Sequence, residues 1–212
     1  MLNELVFVGG AITGWLITDA AAAEPRVTLD VDAIAEIASY KEYARFGDRL
    51  RALGFTEDMR DQAPTCRWTH EGVILDVMPL DESILGFSNR WYRGAMATAT
   101  IQRLGDDLEI RMVTAPYFVA TKLEAFKGRG NGDFLGSHDL EDLVCVIDGR
   151  EVIFEEVQQQ DPSLVEYLRA EFRSLLGTEG FVDALPGYLL PDATAQGRLG
   201  IVLRRLRAIA AV

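Results

Sequence analysis

Three aspartates lie in segments that otherwise have the hydrophobic pattern of β-strands. Asp30 and Asp32 alternate with apolar residues in residues 27–34, and Asp76 interrupts the apolar run of residues 73–80. Side chains two residues apart on a strand point to the same face, with Cα atoms roughly 6–7 Å apart. Carboxylates held this way repel each other unless a cation lies between them, and their oxygens suit Mg²⁺. The pattern predicts a metal site, to which Asp76 adds a third carboxylate if the two strands are neighbours.

The same aspartates have a simpler interpretation that involves no metal. An Asp-x-Asp pair is often only the solvated face of a strand. Asp76 would be costly as a lone buried carboxylate, but it could be paired with an arginine. The spacing of the aspartates alone does not separate these two interpretations.

A glycine pair, Gly9-Gly10, stands upstream of the aspartates. It follows a short apolar run at residues 4–8 and precedes a helical pattern over residues 11–19. Glycines after a strand let the backbone approach phosphate oxygens, and the N–H groups at the start of a helix favour anions. A Gly-Gly pair alone is more often a tight turn. The ordered set of strand, glycine turn, helix and Asp-x-Asp is more specific for phosphate chemistry.

Three basic residues outside these strands could contact phosphate. Lys122 lies among apolar residues of a helix predicted over residues 116–127, so it needs an anionic partner if it faces inward. The alternative for Lys122 is a surface position with its apolar stem against the protein. Arg129 could bind a phosphate or carboxylate, or could cap the end of its helix. Arg26 could reach a triphosphate or pair with a carboxylate of the site.

Two more aspartates stand in the first turn of the next predicted helix. Asp139 and Asp142 follow Ser137, the expected N-cap of a helix over residues 138–147. Acidic residues are favoured at that position by the helix dipole without any further function. Both a functional and a purely structural interpretation of this pair therefore remain open.

The hydrophobic periodicity changes near residue 115. Before it come strand patterns, an amphipathic helix over residues 40–53, a turn at Glu71-Gly72 and a hairpin of residues 97–103 and 108–113. After it come helical patterns, over residues 116–127, 138–147, 151–158, 162–176 and 195–211. The predicted fold class is α/β or α+β, with a mixed sheet and helices in residues 1–114 and an all-helical region in residues 115–212.

Composition narrows the classes of partner. The chain has 212 residues, of which 49% are hydrophobic, so it is long enough to bury a substantial core. Its 33 acidic and 21 basic residues give a net charge of -12, which disfavours a broad basic face for nucleic acid. The two cysteines, Cys66 and Cys145, have no spacing typical of zinc or redox motifs. No apolar stretch is long enough to span a membrane, and we expect a cytoplasmic protein with no membrane partner.

Taken together, these motifs resemble the polymerase β nucleotidyltransferase superfamily. The resemblance rests on Val6-Phe-Val-Gly-Gly10, Thr28-Leu-Asp-Val-Asp32 and Leu75-Asp-Val77. The second half is similar to the AbiEii-like group, the toxins of bacterial type IV toxin–antitoxin pairs. There the similarity rests on Lys122 and Arg129, seven apart on one helix, followed by Asp139-x-x-Asp142. It covers residues 4–148, and the helices beyond residue 150 match no pattern that we can name.

The resemblance implies transfer of a nucleoside monophosphate from a nucleoside triphosphate to an acceptor hydroxyl. In this scheme Mg²⁺ or Mn²⁺ is bound by Asp30, Asp32 and Asp76, and Asp76 also helps to activate the acceptor. Gly9 and Gly10 hold the triphosphate, and Lys122 neutralises phosphate charge. The remaining nucleotide-binding residues would be Arg26, Arg129, Asp139 and Asp142. The acceptor could be a tRNA end, a protein or a small molecule, and a cognate antitoxin is a further expected partner.

Two other classes of function compete with this one. The same fold could serve as a non-catalytic nucleotide-binding or regulatory module, although all three carboxylates and Lys122 are present. A phosphohydrolase would also use an aspartate-rich metal site. That class usually adds histidines or further carboxylates as ligands, and the chain has only two isolated histidines, His70 and His138.

Overall fold

The computed structural model describes residues 1–61, 63–105 and 108–211. The chain forms two compact units. The sheet unit consists of Met1–Ile12 and Val27–Thr114, and the helical unit consists of Thr13–Arg26 and Ala115–Val212. The sheet unit ends at Thr114, which is where the hydrophobic periodicity changes. Thr13–Arg26 belongs to the helical unit although it precedes most of the strands in the sequence.

The strands and helices follow one another in a mixed order. The strands are β1 Leu5–Val8, β2 Asp30–Ala35, β3 Thr56–Glu57, β4 Arg67–His70, β5 Val73–Pro79, β6 Thr100–Leu104 and β7 Leu108–Met112. The α-helices are α1 Thr13–Leu16, α2 Tyr40–Ala52, α3 Glu82–Leu85, α4 Tyr92–Ala97, α5 Ala115–Arg129, α6 His138–Gly149, α7 Ile153–Gln158, α8 Pro162–Leu176, α9 Glu179–Ala184, α10 Ala193–Gly197 and α11 Leu199–Ala211. Short 3₁₀ turns occur at Leu2–Glu4, Gly10–Ile12 and Leu185–Tyr188.

One seven-stranded sheet organises the sheet unit, with the strand order β3-β4-β5-β2-β1-β7-β6. The pairs β2 with β5 and β1 with β7 are parallel, and the other neighbours are antiparallel. The predicted mixed α/β class, with helices in the C-terminal region, is confirmed.

The two faces of the central strands have different surroundings. Ala33 and Ala35 of β2 and Val77 of β5 belong to a buried cluster that also contains Phe46 and Leu50 of α2. Phe46 and Leu50 are four residues apart and so share one face of their helix. Because side chains alternate along a strand, Asp30, Asp32 and Asp76 project from the opposite face of the sheet.

A tight hairpin joins β4 to β5, as the sequence predicted. Glu71 and Gly72 both have positive φ, 47° and 86°, as expected for the two central residues of a type I′ turn. The turn sets the register in which Arg67 lies opposite Asp76.

Several predicted boundaries were wrong. The strand expected from residue 27 begins at Asp30, the first residue that pairs with β5, and Val27 and Leu29 are 90% and 85% exposed. The strand expected from residue 97 begins at Thr100, because α4 extends to Ala97. The helix expected over residues 195–211 is divided into α10 and α11. In the hairpin turn predicted between β6 and β7, Asp106 and Asp107 lie outside the described residues.

The helical unit is built around α6, which contacts α5, α11 and α1. Its Ser137 cap is confirmed, since the side chain accepts a hydrogen bond from the Leu140 N–H. The segment Thr13–Arg26 is bound to the end of α6 by two hydrogen bonds. The carbonyl of Gly149 accepts them from the N–H groups of Thr18 and Asp19, at 2.9 and 3.0 Å. Among the described residues, no helix has both the length and the apolarity needed to cross a bilayer.

Candidate functional site

The three predicted aspartates of the sheet unit share one face and lie on two neighbouring strands. Strands β2 and β5 run parallel with Asp32 directly beside Asp76, and Asp30 lies two residues before Asp32 on the same face. Asp76 is buried, with 6% of its surface exposed, whereas the side chain of Asp30 is 38% exposed. We call Asp30, Asp32 and Asp76 the carboxylate face.

Gly9 brings the chain backbone against this face. It has a φ of +72°, and a Cβ built on it would lie 1.8 Å from Oδ2 of Asp32. Both the conformation and the contact therefore require glycine. The sequence linked the glycine turn to the Asp-x-Asp pair, and the antiparallel pairing of Val8 with Asp32 places them together.

The helix predicted after Gly9-Gly10 is much shorter than expected. Gly10 begins a 3₁₀ turn, which is followed only by the four residues of α1. A helix this short has a small macrodipole, because the dipole is a sum over aligned peptide units. The predicted extent of this helix, residues 11–19, is therefore wrong, and phosphate binding here would depend mainly on individual backbone N–H groups.

Arg67 on β4 binds to the carboxylate face, although the sequence interpretation did not include it. Its Nε donates to Oδ1 of Asp76 at 2.9 Å, and one Nη donates to Oδ2 of Asp76 at 2.7 Å. The same Nη donates to Oδ2 of Asp30 at 3.1 Å. The hydrogen bonding to Asp76, followed by the negative charges of Asp76 and Asp30, raises the pKa of the Arg67 guanidinium above its ordinary value. The interpretation of Asp76 as paired with an arginine is thus the one observed.

The carboxylate face offers the right atoms for magnesium but not a closed cage. Mg²⁺ needs hard oxygen ligands and typically takes one or two carboxylates, with water and phosphate completing its shell. Asp30 and Asp32 fit that requirement. Over the described part of the chain, no group of three or more His, Cys, Asp or Glu residues is arranged to hold a metal ion. The predicted joint use of all three aspartates is not present in this arrangement, because Arg67 binds Asp30 and Asp76.

Burial raises the pKa of both cysteine thiols. Cys66 precedes Arg67 and is buried, and its burial raises the pKa of the thiol to about 12. The pKa of the Cys145 thiol is also raised to about 12, mainly by burial. Because the thiolate is the nucleophile, neither cysteine is activated.

A second cluster of predicted residues forms in the helical unit, around a buried lysine. Lys122 on α5 is only 7% exposed. Its Nζ donates to Oδ2 of Asp142 at 2.6 Å and to Oδ1 of Asp139 at 3.3 Å. The prediction that an inward-facing Lys122 needs an anionic partner is confirmed, and the partners are the two aspartates at the start of α6. We call these residues, with Arg26 and Arg129, the lysine cluster.

Two arginines complete the lysine cluster. Arg129 donates to both oxygens of Asp139 at 2.8 and 2.9 Å, and Arg26 donates to both oxygens of Asp142 at 3.0 and 3.1 Å. Burial disfavours ionisation of Asp139, but the hydrogen bond from Arg129 and the charge of Lys122 outweigh it, so its pKa lies below the ordinary value. Arg129 therefore binds a carboxylate rather than capping its helix, and Arg26 is paired with Asp142.

The predicted site residues thus fall into two groups that belong to different units. Gly9, Asp30, Asp32 and Asp76 are together in the sheet unit, with Gly10 following Gly9. Arg26, Lys122, Arg129, Asp139 and Asp142 are together in the helical unit. Within each group the predicted residues are in direct contact or in strand register.

Comparison with known proteins adds no assignment. No protein-family model matches the chain, and no curated protein matches its sequence. The function must therefore be argued from the residues and their geometry.

Proposed function

We propose that the protein is a magnesium-dependent nucleotidyltransferase that moves a nucleoside monophosphate from a nucleoside triphosphate to an acceptor hydroxyl. One observation carries the proposal: the Gly9 backbone lies against Asp32, on a face that Asp32 shares with Asp30 and with its register neighbour Asp76. A glycine turn beside paired carboxylates is suited to hold a phosphate group next to a divalent cation. The sequence resemblance to polymerase β-type enzymes supports the same chemistry.

Each residue of the carboxylate face has a role in this proposal. Asp30 and Asp32 hold Mg²⁺ or Mn²⁺, and the bound ion would neutralise charge on the triphosphate and on the leaving pyrophosphate. The N–H groups of Gly9 and Gly10 orient the phosphates. Asp76 would accept the proton of the acceptor hydroxyl on a lone pair that Arg67 does not use, since a carboxylate has about four acceptor sites and Arg67 takes two of them.

Within the helical unit, the lysine cluster is proposed to bind a phosphate group through its exposed arginine, Arg129. Lys122, Arg129 and Arg26 carry three positive charges, which are balanced by Asp139, Asp142 and Glu141, the last at 3.7 Å from Arg26. The Arg129 side chain is 72% exposed, so a phosphate in solution can reach its guanidinium. In this role Asp139 and Asp142 hold the basic side chains in place.

The proposal extends to the biological setting implied by the AbiEii-like resemblance. The protein would be the toxin of a type IV pair, acting in the cytoplasm where nucleoside triphosphates are abundant, with a cognate antitoxin as its partner. The acceptor would be a tRNA end, a protein hydroxyl or a small molecule. The net charge of -12 favours an acceptor recognised in a local pocket over one held along an extended basic surface.

A transfer assay tests the enzyme proposal. Purified protein, Mg²⁺ and each α-labelled nucleoside triphosphate are incubated with total tRNA, a protein lysate or buffer, and the labelled product is separated by size. We expect label transfer by the wild type and by Asp48→Asn, since the Asp48 side chain on α2 is 75% exposed and pairs with Arg51 on the same helix. We expect none from Asp32→Asn. Equal transfer by wild type and Asp32→Asn would refute the assigned site.

A non-catalytic module is the second candidate, and the contacts of Arg67 favour it. An arginine that already binds Asp76 with two hydrogen bonds gives the face a stable, metal-free arrangement. The two candidates differ in one measurable respect. The module would bind a nucleoside triphosphate in equilibrium dialysis without Mg²⁺ and leave it intact, whereas the enzyme would release pyrophosphate once an acceptor is supplied.

A further inference from the structure

The Arg67 guanidinium is held unequally by its two aspartates. Asp76 accepts two hydrogen bonds from it, at 2.9 and 2.7 Å, while Asp30 accepts one at 3.1 Å. The Asp76 pair is bidentate and largely buried, which is the stronger kind of arginine contact. Arg67 is therefore anchored on Asp76 and reaches from there to Asp30.

Asp30 is the more accessible of the two partners. Its side chain is 38% exposed, compared with 8% for Asp76 and 20% for Arg67. A hydrated cation from solution would therefore contact Asp30 before Asp76. Oδ2 of Asp30 already accepts a hydrogen bond from Arg67. Because two positive charges close together repel, the guanidinium and a divalent cation compete for this carboxylate.

From this geometry we infer that Arg67 is the resident counter-ion of the carboxylate face, and that a divalent cation binding at Asp30 and Asp32 must displace its guanidinium from Asp30. The inference rests on the proposed metal site. It makes Arg67 a positioning residue, which offsets one of the two negative charges of Asp30 and Asp76 until the metal arrives and which governs metal affinity without touching the reacting phosphate.

Calorimetric titration of Mn²⁺ tests the inference directly. Removing the competing charge in Arg67→Gln should tighten Mn²⁺ binding by at least roughly fivefold, the effect of about 1 kcal/mol of repulsion at 4 Å in water. Arg67→Lys keeps the charge and should stay within about twofold of the wild type. Arg49→Gln is the matched control, because Arg49 makes an exposed bidentate pair with Glu4 elsewhere in the sheet unit. Asp32→Asn supplies the baseline for weak binding to the acidic surface.

The outcomes separate this inference from the proposed function. Tighter Mn²⁺ binding in Arg67→Gln, without tighter binding in Arg49→Gln, supports the inference. Unchanged or weaker binding in a folded Arg67→Gln overturns it and leaves the magnesium assignment standing. Binding no stronger than the Asp32→Asn baseline in both wild type and Arg67→Gln overturns the inference and the metal site together.

A second measurement on the wild type covers the case in which Arg67→Gln does not fold. In protein labelled with ¹⁵N-arginine, the Nε–H resonance of Arg67 is assigned by its loss in Arg67→Lys. We expect Mg²⁺ to shift this resonance with the same midpoint as the calorimetric titration, because the guanidinium changes its contacts. An Nε–H resonance that stays in place while Mg²⁺ binds would overturn the inference.

Discussion

Gly9 has a backbone conformation that favours glycine, and it also lies directly against a carboxylate of the candidate site. Its φ of +72° lies in the left-handed region, and an added Cβ would be 1.8 Å from the Asp32 carboxylate. We expect Gly9→Ala to lower the free energy of unfolding by more than the roughly 1–2 kcal/mol that left-handed backbone costs an L-residue, because Asp32 must also move. We also expect it to abolish nucleotide transfer. Urea denaturation and the transfer assay measure the two effects.

Gly86 provides the matched control for that prediction. It has a φ of +80°, and a Cβ built on it meets nothing within 4 Å. Gly86→Ala should therefore show the conformational cost alone and keep its activity. If Gly9→Ala and Gly86→Ala lost equal stability, the proposed close contact between Gly9 and Asp32 would be wrong.

Lys122 illustrates how much a buried charge depends on its partners. Lys122→Met leaves Asp139 and Asp142 buried, with Arg129 and Arg26 as their remaining partners. We expect a loss of about 3 kcal/mol, the lower end of the range for breaking a buried ion pair, measured by chemical denaturation. Lys127→Met on the same helix removes a lysine that is 47% exposed, and should cost at most about 1 kcal/mol. Similar losses in both variants would contradict the buried network.

Arg67 was predictable from the sequence, whereas the partners of Lys122 were not. The sequence indicated a turn at Glu71-Gly72, and where such a turn is the two-residue loop of a hairpin, residues equally far from it are opposite each other. Counting back from Asp76 leads to Arg67. No comparable rule pairs Lys122 with Asp139 and Asp142, because these residues are on two helices whose packing is set by tertiary contacts.

At the scale of elements, α6 orders the lysine cluster because Asp139, in its first turn, and Asp142, three residues later, lie on the same side of the helix. Ser137 caps this helix by accepting from the Leu140 N–H at 3.3 Å. Ser137→Ala should cost about 1 kcal/mol, the typical value for loss of an N-cap, as measured by thermal or urea denaturation. Because the cap fixes the first turn, we also expect weaker nucleotide binding.

The control for the cap is a serine inside a helix. Ser174 is exposed on α8, and alanine has the higher helix propensity, so Ser174→Ala should be neutral or slightly stabilising. A Ser137→Ala variant as stable as Ser174→Ala would show that the cap does not stabilise α6.

Element boundaries were less predictable than element types, for a physical reason. Pro162–Leu176 was predicted to the residue because its ends have local signals, with Pro162 in the first turn and Asp161 as a cap that accepts from the Ser163 N–H. The start of β2 has no such signal. It is set by the point at which β5 begins to pair with it, opposite Ile74, and a periodic pattern cannot reveal where a partner strand ends.

At the scale of the whole molecule, each of the two compact units is made of two separate segments of the sequence. Thr13–Arg26 lies between β1 and β2 in the sequence but belongs to the helical unit. Its attachment depends on long-range contacts, among them the bond from Arg198 to Asp19 at 2.6 Å. Arg198 is itself fixed by bonds to Asp148 of α6 at 2.8 and 3.0 Å. Composition and periodicity predicted a boundary after residue 114, but they contain no information about such pairings.

Native-state hydrogen exchange can test this discontinuous organisation. The amides of Thr18 and Asp19 donate to the Gly149 carbonyl at the end of α6, so they should open together with that helix. In Lys122→Met, which destabilises the helical unit, we expect the protection of Thr18 and Asp19 to fall by the same factor as that of Val146 in α6. A smaller fall at Thr18 and Asp19 than at Val146 would mean that Thr13–Arg26 opens separately, and would contradict its assignment to the helical unit.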